Sequence, residues 1–97
     1  MKKVETNHIY FGDLKLPFRF SINSFIYFTE EYGKEITDIH TIKDAIYFFF
    51  CAYKAGCDYS KSDKITYEEF STLIEDYPES LTILSGLMGD ALGTKKK

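Results

Sequence analysis

Tryptophan is absent from this 97-residue chain, proline occurs twice, and glycine makes up only six positions. So little Pro and Gly, beside 44% hydrophobic and 18% aromatic residues, excludes a low-complexity or disordered chain. No apolar run approaches a membrane span: the longest, Ala45–Tyr53, is under half of the roughly 20 residues required. No leader is expected either, because the start, MKKVETNH, is polar at once. An excess of positive charge is also missing. The formal net charge is −3, and the only basic clusters are Lys2-Lys3 and Lys95–Lys97, which argues against nucleic acid as a partner. Two cysteines, Cys51 and Cys57, fit neither a zinc knuckle nor a CxxC pair, so reduced structural thiols in a cytoplasmic protein are expected.

What is present predicts one domain of the α+β class, mainly α: a β-hairpin packed on a small bundle of about four helices. Residues 8–20 read as the hairpin. Gly12-Asp13 supplies a two-residue turn with Gly first, so Phe11 faces Leu14 and Ile9 faces Leu16. Phe18 and Phe20 continue that apolar side, while His8, Tyr10, Lys15, Pro17 and Arg19 lie on the other. Helices are expected over 22–32, 41–55, 66–76 and 78–92, with 93–97 a flexible basic tail. Ser21 and Thr41 are N-caps, Gly33 and Gly56 are stops, and the polar stretch Cys57–Lys64 is a loop. Ile36 and Ile39 turn inward from the link between the first two helices. Thr66 with Glu69 forms a capping box, flanked by a hydrophobic staple of Ile65 and Phe70. Gly86 and Gly89 weaken the fourth helix.

The second helix dominates this plan. Ile42, Ala45, Ile46, Phe49, Ala52 and Tyr53 share one face at helical spacing, and Phe48 and Phe50 flank it. Only Lys43, Asp44, Tyr47, Cys51 and Lys54 remain for the far side. So broad an apolar arc must be wrapped by several elements or shared with a partner.

Chemistry has few footholds. His8 and His40 stand far apart, and nothing joins either with Cys51 or Cys57 to an orienting group and an oxyanion donor. The acid pairs Glu30-Glu31, Glu68-Glu69 and Glu75-Asp76 point about 100° apart on helices, as a solvated face does. No phosphate-cradling glycine loop occurs, and no catalytic residue, metal ligand or cofactor is assigned. Asp58–Glu69 imitates an EF-hand calcium loop, with Asp58, Ser60 and Ser62 at the first, third and fifth places and Glu69 at the twelfth. Asp63 takes the sixth place, where the loop's sharp turn calls for Gly, and two usual carboxylates are Ser. A calcium-binding helix-loop-helix module is therefore the alternative function. Tyr10, Tyr27, Tyr47, Tyr59 and Tyr77 are candidates for exposure, and tyrosine favours protein contacts.

The order of features carries a resemblance. A hairpin ending in LKLPFRFSINSFIYFTEEYGKEITDI leads to IKDAIYFFFCAYKAG, then a polar loop, then ITYEEFSTLIEDYPESLTILSGLMGDAL. This is similar to the small tail assembly chaperones of long-tailed bacteriophages and prophages, over about Ile9 to Leu92. The resemblance implies a non-catalytic protein of the bacterial host cytoplasm that binds tape measure protein, tail tube protein or both before the tail polymerises. It also implies self-association in many members. The run Lys95–Lys97 is compatible with the frameshift site common in that family. The arc width and the spacing of Gly86 and Gly89 nominate Tyr47, Phe48, Phe50, Leu87 and Met88 as partner-binding residues.

Overall fold

The computed structural model describes residues 6–92; the expected basic tail at 93–97 and the Lys2-Lys3 pair lie outside the described residues. The chain runs β1 (Asn7–Phe11), β2 (Leu14–Phe18), α1 (Ile22–Tyr32), a 3-10 turn (Ile36–Asp38), α2 (Ile42–Ser60), α3 (Tyr67–Asp76) and α4 (Glu79–Leu92). An antiparallel hairpin followed by four helices is the architecture that the pattern predicts.

The hairpin keeps the expected register, with Ile9 opposite Leu16 and Phe11 opposite Leu14. Its turn needs a positive φ at the first central residue, and Gly12 supplies 66°. Two strands alone are marginal in water, so the apolar face has to find cover. Phe11, Phe18 and Leu16 are buried against the helices, and the Phe11 ring meets Tyr77 edge-on at 6.3 Å.

Helix α2 is the axle, packing against β2, α1 and α3. Its residues from Phe48 to Cys57 are buried at every consecutive position, so the broad arc is wrapped by the chain itself. Cys51 and Lys54, expected on the outer side, are therefore inside. The Lys54 ammonium survives there by pairing with Glu31 and lying over the rings of Tyr27 and Phe50.

Four expectations need correction. Gly56 does not stop α2; the helix continues to Ser60 and ends at Lys61, whose φ is 58°. Gly56 instead lets the strand approach, since a Cβ there would lie 2.6 Å from the Pro17 carbonyl oxygen. Arg19 N–H donates to the Ala52 carbonyl oxygen at 3.0 Å, sealing the same seam. That approach also buries Pro17, expected on the outer face. The loop accordingly starts at Lys61, with Cys57–Ser60 helical. Finally, Ile42, placed in the apolar stripe of the second helix by periodicity, is exposed at the first position of α2.

Helix starts follow local chemistry. Thr66 Oγ1 accepts from Glu69 N–H at 3.1 Å and Glu69 Oε1 accepts from Thr66 N–H at 3.0 Å, closing the expected capping box. Thr41 Oγ1 accepts from Asp44 N–H at 3.1 Å. At α1 the working hydroxyl is that of Ser24, which accepts from Ser21 N–H at 3.1 Å and donates to the Ser21 carbonyl at 2.6 Å. The Ser21 hydroxyl is buried without a hydrogen-bond partner among the described residues.

Candidate functional site

The residues nominated as partner contacts separate into two groups. Phe48 is 0% exposed and Phe50 6%. Phe48 lies among Phe20, Phe25 and Phe28, with ring centroids 5.2–5.8 Å away. Phe50 packs on Tyr53, Tyr67 and Phe70. Both belong to the chain's own core, because the hairpin, α1 and α3 close over them; they are withdrawn as contact residues. Tyr47 is half-buried in a stack with Tyr32, 4.4 Å away, and Tyr67, 5.2 Å away. Leu87 and Met88 are half-buried on α4, packed against the core from outside. The tyrosines divide likewise: Tyr10 and Tyr59 are exposed, while Tyr27 and Tyr77 are partly covered.

Both thiols are enclosed. Burial pushes Cys51 up to about 12 and also raises Cys57, so neither is a thiolate at neutral pH. Cys57 Sγ contacts the Asp63 carbonyl oxygen at 3.6 Å, and Tyr53 Oη accepts from Ile65 N–H at 2.9 Å. These bonds tie the 61–66 connector to α2.

The stretch imitating a calcium loop is arranged by other partners. Asp58 and Ser60 stand on the last turn of α2. The Asp58 carboxylate takes hydrogen bonds from Tyr27 and from Lys64, the latter at 2.6 Å. Partial burial pushes this carboxyl upward, but the two hydrogen bonds outweigh it and hold Asp58 below its ordinary value. Glu69 is engaged in the capping box. Among the described residues, no group of three or more His, Cys, Asp and Glu side chains is placed to hold a metal ion.

An open groove of about 440 Å³ lies between the hairpin turn and α3. Leu14, Ile65 and Leu73 form its apolar lining, and Glu68, Glu69 and Thr72 its polar one. Leu14 is 43% exposed although its cross-strand partner Phe11 is buried. At the turn, the Tyr77 hydroxyl lies against Gly12, where a Cβ would meet it. The alternation of the hairpin puts Leu14 on the apolar side with Phe11 and so gives no sign of this groove. A signal for it does exist in the charge pattern. From Ile65 to Leu92 there are six acids (Glu68, Glu69, Glu75, Asp76, Glu79 and Asp90) and no lysine or arginine. Among the described residues, no ion pair forms at Glu68, Glu75, Asp76 or Glu79.

No family model, curated protein or solved structure matches this chain.

Proposed function

We propose that this chain is a non-catalytic protein-binding domain of the phage tail assembly chaperone type. In this reading it holds tape measure protein, tail tube protein or both in the bacterial cytoplasm until the tail polymerises. The support is the order of hairpin, aromatic helix, polar connector and capped helix, which the resemblance spans almost end to end. The observation that carries the binding role is the open groove lined by Leu14, Ile65 and Leu73 on a molecule whose central helix is already covered. A protein that seats a partner helix needs apolar surface in a concave setting, and this groove supplies it. Contacts move accordingly from Phe48 and Phe50 to the groove, with Tyr47, Leu87 and Met88 kept as further candidates. No described helix is long and apolar enough to cross a membrane.

The test is co-expression with the long, mainly helical protein encoded beside this one, followed by co-purification. A stable complex, together with greater solubility of the long protein, is expected. Separate elution of the two proteins, with the long one still aggregating, overturns the reading. Light scattering on the isolated chain measures whether it also self-associates.

A further inference from the structure

We infer that the groove between the hairpin turn and α3 receives an amphipathic partner helix whose apolar stripe is bordered by lysine and arginine. The inference rests on the protein-binding reading above and names the partner's chemistry and its seat. The lining of Leu14, Ile65 and Leu73 calls for an apolar stripe. Glu68 and Glu69 line the groove beside these residues, on the first turn of α3. An occupant lying along α3, a helix of 10 residues, meets their carboxylates next to its apolar contact. Ten helical residues extend about 15 Å, enough to match two turns of a partner helix with anchors at i and i+3 or i+4.

Charge decides among occupants. A second copy using the same patch would set Glu68 and Glu69 against their own counterparts, acid against acid, because a two-fold interface repeats the same surface on both sides. Nucleic acid and anionic lipid headgroups meet the same repulsion. A helix edged with cations satisfies both the lining and its border. The seat is also built beforehand, since Tyr77 packs against Gly12 and Phe11 at the turn. Binding then costs little ordering of the receiving chain.

The test uses the full chain and three fluorescein-labelled 18-residue peptides read by anisotropy. One is built of leucine at i, i+3, i+4 and i+7 with lysine elsewhere. The second carries glutamate in place of lysine, and the third keeps the first composition in scrambled order. The lysine amphipathic peptide is expected to bind, and to weaken as salt shortens the screening length from about 10 Å at 0.1 M towards 3 Å at 1 M. Glu68→Lys and Leu14→Ser should each weaken it by about tenfold, while Glu30→Lys on α1, the same charge change outside the groove, should leave affinity within about twofold. Because Glu68 also favours the start of α3, Thr72→Lys serves as a second groove variant at an exposed mid-helix position that tolerates lysine.

Equal binding of the glutamate or scrambled peptide overturns the inference, as does wild-type affinity in folded Glu68→Lys and Thr72→Lys. If the neighbouring helical protein co-purifies and ignores these variants, the groove assignment falls while the chaperone reading stands. If no neighbour co-purifies but the lysine peptide shows the variant pattern, the groove assignment stands and the chaperone reading falls.

Discussion

Two single positions show how the fold turns local chemistry to its own ends. Gly56 sits inside α2 where alanine is the better helix former by about 1 kcal/mol. Alanine there, however, presses on Pro17 main chain rather than on a side chain that can move aside. Gly56→Ala should therefore lose about 1–3 kcal/mol, as overpacked sites do, measured as a lower urea midpoint. Tyr27 is the second. Its hydrogen bond to Asp58, then burial, push its hydroxyl up to about 12, while the same bond helps hold Asp58 below the ordinary aspartate value. The two signs run oppositely. Asp58, depressed in the folded state, contributes above its unfolded value near pH 4 and loses that contribution as pH falls. Tyr27, raised in the folded state, contributes below its unfolded value near pH 10 and loses it as pH climbs towards 12. The melting temperature of Tyr27→Phe should consequently fall short of wild type most between about pH 5 and 9, with the gap closing at both ends. A gap that stays constant across that range would contradict the assignment.

At the scale of elements, caps and connectors divide into those that carry stability and those that only resemble one. Thr66 and Ser24 each complete hydrogen bonds at a helix start, so Thr66→Ala and Ser24→Ala should each cost about 1 kcal/mol in denaturant titrations. Ser21 occupies the cap position of α1 but its hydroxyl has no partner among the described residues, so Ser21→Ala should change stability far less than Ser24→Ala. The connector after α2 supplies a second comparison. Asp58 and Ser60 of the calcium-like stretch stand on a helical turn, and Asp58 is bonded to Lys64. Calcium at about 5 mM should leave the melting temperature unchanged, since a ligand held by the folded state alone must raise it. The boundaries of these elements show what a sequence discloses. Both ends of α1, the cap of α3 and the hairpin register follow from local rules: a Gly that favours positive φ, a period of two, and a Thr three residues before a Glu. The end of α2 does not, because Gly56 looks like a stop by every local criterion. Its glycine answers instead to a strand brought alongside by the fold.

For the molecule as a whole, the aromatic wealth of the chain is spent inward. Phe18, Phe50, Tyr53 and Phe70 form one group of rings, Phe20, Phe28 and Phe48 another, and Tyr32, Tyr47 and Tyr67 join the two. Removing a buried phenyl ring costs about 3–5 kcal/mol, against a total stability of about 5–15 kcal/mol for a domain of this kind. Phe48→Ser with Phe50→Ser should hence abolish the cooperative melting transition, and any lost binding in that variant reports unfolding. The breadth of the apolar arc was legible in the sequence, but not what covers it. A surrounded helix and a partner-seeking helix share one pattern, and only the seating of the hairpin, α1 and α3 separates them. The groove at Leu14 was hidden for the converse reason, because an apolar residue at core spacing gives no sign that it stays exposed.

The joint at Pro17, Arg19, Ala52 and Gly56 has a mechanical corollary. Main chain bears on main chain there, with no intervening side chain to cushion it, so the joint acts as a weld rather than a hinge. A load applied to the second strand is passed straight to the longest helix, and any graft that replaces the hairpin must reproduce that seam before it can match anything on the surface.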